Sequence, residues 1–172
     1  MILTPNLMIV NDATIDNVRS ILLVHNLPML TNRYAGLDPG TTHIGLAQVD
    51  NNFVRLCEIK IPRDNTTGKR IEHIWSILTE HLLDMKIFVI EGASYGDRYR
   101  QVELQDIRCG ATAWAMNRLG NIEIDIVPPS TIRKIVFGSA KIKNPWKEQG
   151  IPDNAAAALG CALYPIAKGN AT

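Results

Sequence analysis

The feature that most constrains this chain is a change of hydrophobic period along its length. Between residues 34 and 61 apolar side chains come in short β-type runs broken by turn residues; from residue 69 onward helical spacing alternates with short apolar runs. Residues 34–37 form the first run, and Asp38-Pro39-Gly40 then turns the chain. Residues 43–49 and 53–61 follow, rich in β-favouring side chains and separated by Asp50-Asn51-Asn52, a hairpin signal. Over 69–85, Ile71, Ile74, Trp75, Leu78, Leu82 and Met85 share a helix face. Residues 87–90 are apolar and end at Glu91, a run too short for a helix and suited to a buried parallel strand. Leu104, Ile107, Ala111, Trp114, Ala115 and Leu119 mark a second helix. A further strand at 122–127 stops at Pro128-Pro129, and helices at 131–137 and from 153 to about 168 close the chain. This order predicts an α/β fold: a mixed central sheet of about five strands flanked by helices on both faces.

A length of 172 residues fits one domain, expected at 34–168, preceded by an N-terminal extension at 1–33. In the extension Asp12 or Thr14 could cap a short helix carrying Ile15, Val18, Leu22 and Val24, ended by Pro28. With 46% hydrophobic and 20% charged residues the composition is that of a globular domain, and no apolar run is long enough to span a bilayer. The N-terminus lacks the basic region and cleavage site of a signal peptide. Cys57, Cys109 and Cys161 are widely spaced and odd in number, which speaks against a zinc site or a disulfide framework. A cytoplasmic location is expected.

The net charge of +1 says little, but its distribution says more: residues 128–147 hold Arg133, Lys134, Lys141, Lys143 and Lys147 with no acidic residue. Such a stretch could meet a phosphate backbone, although a solvated face is the commoner role of a charge run.

Two carboxylates stand out by position. Asp38 follows the first core strand and Glu91 the fourth. If those strands are parallel neighbours, both side chains emerge at one sheet edge, where α/β folds usually bind ligands. Asp153 opens the last helix, where N-capping is its ordinary role, and Asn154 beside it could cap equally well. Oxygen ligands converging at a strand end suit a hard cation such as Mg²⁺, and two such ions can cleave a phosphodiester.

These residues carry a family resemblance. YAGLDPGTTHIGLAQVD resembles the first hairpin of RuvC-type Holliday junction resolvases, and IFVIEGASYG their fourth strand with its catalytic Glu. IVPPSTIRKIVFGSAKIKNPW resembles the passage from the fifth strand into a basic loop seen in phage members, and IPDNAAAALGCALY the closing helix. The resemblance spans residues 34 to 164 and implies an RNase H-like fold, a homodimer, and symmetric nicking of four-way DNA junctions in recombination and repair. It implies Mg²⁺, with Mn²⁺ able to substitute. Asp38, Glu91 and Asp153 would be catalytic and, with Asn154, would hold metal. Tyr95, Arg98, Arg100, Arg133, Lys134, Lys141 and Lys143 would meet DNA, and the helix around Ile107 and Trp114 is a candidate dimer surface, though core packing is its commoner fate.

One departure matters: the closing helix of the family carries an Asp where this chain has Ala157. An acidic residue there would share a helix face with Asn154, and alanine binds no metal. Three readings fit: an engineered change, a natural enzyme that uses Asp153 instead, or a nuclease-dead relative that only binds branched DNA. A YqgF-like RNA-processing nuclease shares the carboxylates and is a closer rival. DPGTT also resembles the phosphate loop of actin-like and sugar kinases, but those proteins need a second such domain. His73 and His81 are expected at the surface, His43 as a plain strand residue, and Trp146 either in the core or stacked on a base.

Overall fold

In the computed structural model, residues 32–50, 54–61, 66–82, 85–93 and 98–169 are described. The expected N-terminal helix, Asn51 and Asn52 of the hairpin turn, and Tyr95 lie outside them.

Five strands form one sheet: β1 (Tyr34–Asp38), β2 (His43–Val49), β3 (Val54–Lys60), β4 (Ile87–Glu91) and β5 (Glu123–Val127), in the order β3-β2-β1-β4-β5. β2 runs antiparallel to β1 and β3, while β1, β4 and β5 are parallel. β1 and β4 lie at the centre and are apolar on both faces, as covered parallel strands must be.

Helices α1 (Thr67–His81) and α2 (Arg98–Arg118) cover one face. They bury Ile74, Leu78, Ile107 and Trp114 against Ala35, Leu37, Leu46, Phe88 and Ile90. Thr66 caps α1 by accepting from the Lys69 amide at 3.4 Å. Two indoles bind the helices together: Trp75 Nε1 donates to Gly110 O at 3.0 Å and Trp114 Nε1 to Thr79 Oγ1 at 2.9 Å. Ile107 and Trp114 are therefore core residues. His81, expected at the surface, is buried too.

The opposite face is covered by α3 (Pro129–Phe137) and α4 (Asp153–Gly169). Pro128 caps α3 and Pro129 fills its first turn, because proline ends a strand and its fixed φ suits a helix start. α3 thus begins two residues before the expected 131. α4 lies unusually close to the sheet. A Cβ on Gly36 would stand 2.5 Å from Ala162 N and 2.8 Å from Cys161 Cβ and overlap Ala158 O; a Cβ on Gly45 would overlap Asn154 O. Glycines on β1 and β2 thus face alanines on α4, backbone nearly to backbone. The RNase H-like α/β fold and mixed five-stranded sheet expected from the sequence are the ones observed. No helix among the described residues is long and apolar enough to cross a membrane.

Candidate active site

Strand register builds the site. Asp38 pairs with Gly45, and Gly45 with Glu58. Leu37 pairs with Ile90, so Asp38 and Glu91 stand side by side at the next position, at the carboxyl ends of parallel strands. Residues in register share a face. Glu58, Asp38 and Glu91 therefore lie in one row across the sheet, all towards α4, with Gly45 in the gap where α4 comes closest.

Burial is the largest influence on both central carboxylates. It pushes the Asp38 carboxyl up to about 8, helped by repulsion from Glu91 and, more weakly, Glu58; Arg108 and Arg133 pull it back. Burial also raises Glu91, opposed by Arg133 and then Arg108. Two adjacent carboxyl groups that cannot both ionise without added positive charge are a donor set a hard cation fits. Among the described residues no group of three or more His, Cys, Asp or Glu side chains is placed to hold a metal. A cation held by this pair would take its remaining ligands from water or phosphate oxygens.

The α4 side explains why there is no third acidic ligand. Asn154 Nδ2 donates to Glu58 Oε1 at 2.7 Å, and Cys161 Sγ donates to Leu37 O at 3.7 Å. By helical spacing Ala157 falls between them on the same face of α4. Asp153 is not brought to the pair: its exposed side chain accepts from Asn144 Nδ2 at 2.9 Å. Its place at the helix start turns it to the preceding loop rather than to the sheet.

The basic residues divide into two groups. Arg133, on α3, is half-buried and acts electrostatically on both Asp38 and Glu91. Lys134, Lys141, Lys143 and Lys147 are exposed around the loop that leads into α4. Trp146 anchors that loop: it is 1% exposed and packs edge-on against Phe137 at 5.2 Å, so it cannot stack on a base. Asn144 is the loop's hub, donating to Ile151 O at 2.9 Å and Asp153 Oδ1 and accepting from the Trp146 amide at 3.0 Å. Asn144→Ala is expected to cost about 2 kcal/mol in urea melts, because it leaves partly buried groups unpaired. Unchanged stability would show that the loop does not depend on this hub. Arg98 and Arg100 open α2, and their side chains lie outside the described ones.

Two residues of the site carried no mark in the sequence reading. Glu58 is found only through register, which a sequence does not display. Arg108 had a signal: with Leu104, Ala111 and Ala115 it occupies the buried stripe of α2, where a cation is out of place.

No family model and no curated protein matches the sequence. Solved structures do match the fold. Thermus thermophilus RuvC in complex with a Holliday junction substrate is 19% identical with a TM-score of 0.61, over 81% of this chain and 96% of that one. A second Thermus thermophilus RuvC structure gives 18% identity and a TM-score of 0.63 over the same shares, 81% and 96%. The yeast mitochondrial Holliday junction resolvase Ydc2 is 12% identical with a TM-score of 0.54, over 90% of this chain and 85% of that one. The fold is that of RuvC-type resolvases.

Proposed function

We propose that this chain is a RuvC-type, structure-specific endodeoxyribonuclease that acts on four-way DNA junctions with Mg²⁺, or Mn²⁺ in its place, as a cytoplasmic homodimer. The observation that carries the reading is the pairing of Asp38 and Glu91 at the ends of adjacent parallel strands, beside a basic rim. In this reading Asp38 and Glu91 would hold the cation, which would supply Lewis-acid chemistry at the phosphodiester. Arg133, beside the pair, holds the scissile phosphate. Lys134, Lys141 and Lys143 meet the flanking backbone, and Tyr95, Arg98 and Arg100 approach the junction from the segment after β4. Asp153 has the role of a loop anchor.

Ala157 favours a second reading, a protein that binds branched DNA without cutting it. A gel assay on a four-way junction with Mg²⁺, at stated salt and with duplex and RNA controls, separates the two. Paired symmetric nicks from the chain itself are expected to be slow and to accelerate in Ala157→Asp. Junction binding with no cleavage by either form supports the non-cutting reading. Neither binding nor cleavage overturns both, and preference for RNA points to an RNA-processing nuclease.

A further inference from the structure

Arg108 is the most unusual charged residue in the fold. It lies on the inward stripe of α2 and is 3% exposed. Its Nε donates to Glu91 O at 2.8 Å and its Nη2 to Gly92 O at 2.9 Å. Burying a guanidinium is costly unless it is bonded, and here the bonds go to consecutive carbonyls at the end of β4. From the other side the Gly92 amide donates to Val127 O at 2.7 Å, so β5 and α2 grip the same turn of chain. Among the described residues the buried Nη1 has no hydrogen-bond partner. The same guanidinium also acts electrostatically on Asp38 and Glu91.

We propose that Arg108 is a positioning residue of the cation site: by clamping the Glu91 and Gly92 carbonyls it holds the Glu91 carboxylate beside Asp38 in the geometry that binds a divalent ion. It does so from inside the protein, where DNA cannot reach it. Groups that orient a metal ligand from behind typically matter 10–100-fold for affinity or activity. The inference rests on the proposed cation site, but not on the identity of the nucleic acid.

The test uses the full chain with Arg108→Gln and Arg108→Lys. Gln removes the charge and the fork; Lys keeps the charge and can reach only one carbonyl. Mn²⁺ affinity is measured by calorimetry without DNA, fold by circular dichroism and urea melts, junction affinity in Ca²⁺, and cleavage in Mn²⁺. Folded variants should bind Mn²⁺ about 10–100-fold more weakly, with Lys the milder. Their junction affinity should stay within about twofold of the unsubstituted chain, because Arg108 is out of reach of DNA. Their cleavage should recover as Mn²⁺ is raised.

A folded variant with unchanged Mn²⁺ affinity overturns the proposal. So does failure of both variants to fold, which would make Arg108 a stability residue. If the unsubstituted chain binds Mn²⁺ but cuts no junction, the nuclease reading fails, and the dependence of Mn²⁺ affinity on Arg108 still decides this one. If it binds no Mn²⁺, both fall.

Discussion

Asp38→Asn is expected to abolish junction cleavage, by about a thousandfold or more, and to make the metal-free protein more stable above neutral pH. Both effects come from one carboxyl group. It titrates near 3.8 when unfolded and near 8 when folded, chiefly through burial and then Glu91. Between those values the folded state holds a proton that the unfolded state has lost. Stability therefore falls as pH rises through that window, by up to about 1.4 kcal/mol per pH unit. Glu91, also raised by burial, adds to the fall in the same direction. Asn keeps the shape and removes the titration. Melting temperatures in EDTA should decline for the unsubstituted chain from about pH 4 to pH 8 and decline less for Asp38→Asn. Excess Mg²⁺ should recover stability at the alkaline end for the former alone. A melting temperature that rises with pH across the window would show that the carboxylates are not frustrated in the folded state.

The second large effect is structural. Gly36→Ala and Gly45→Ala are each expected to destabilise the fold by about 3 kcal/mol or more, since the new Cβ meets helix backbone rather than a movable side chain. Backbone cannot swing aside, so α4 must lift from the sheet and carry Asn154 and Ala157 with it. Gly68 supplies the contrast. It lies in α1 with nothing within 4 Å of a built Cβ, and Gly68→Ala should be neutral or stabilising by about 0.5 kcal/mol. Urea melts of the three variants test the pair against the control. Equal stability throughout would mean that the close approach of α4 carries no energetic weight.

Much of this arrangement was legible in the residues. The short apolar runs at 34–37 and 87–90 mark central strands because both their faces are covered, and each ends on a carboxylate that the sheet could not bury without cost. Helix limits were less visible. The apolar spacing of α1 carries on to Met85, yet the helix ends at His81; Met85 reaches the same core from outside it. Spacing reports which side chains are buried, not where the backbone stops being helical. Arg133 looked like one more member of a basic run and turns out half-buried and within electrostatic reach of Asp38 and Glu91, since α3 starts at the carboxyl end of β5. Trp146 and His81 are buried by tertiary packing, Trp146 in a cluster that also holds Tyr34 and Leu56, which local pattern does not reveal.

The glycine–alanine seam between α4 and the sheet also bears on how such a site can change over time. Where Gly36 and Gly45 meet it, α4 leaves no room for a side chain between itself and the strands, so position 157 keeps its place on the helix face that also carries Asn154 and Cys161. An alanine codon is one base away from an acidic one. On the proposed reading, then, an acidic ligand at position 157 is one point mutation away and needs no rebuilding of the fold.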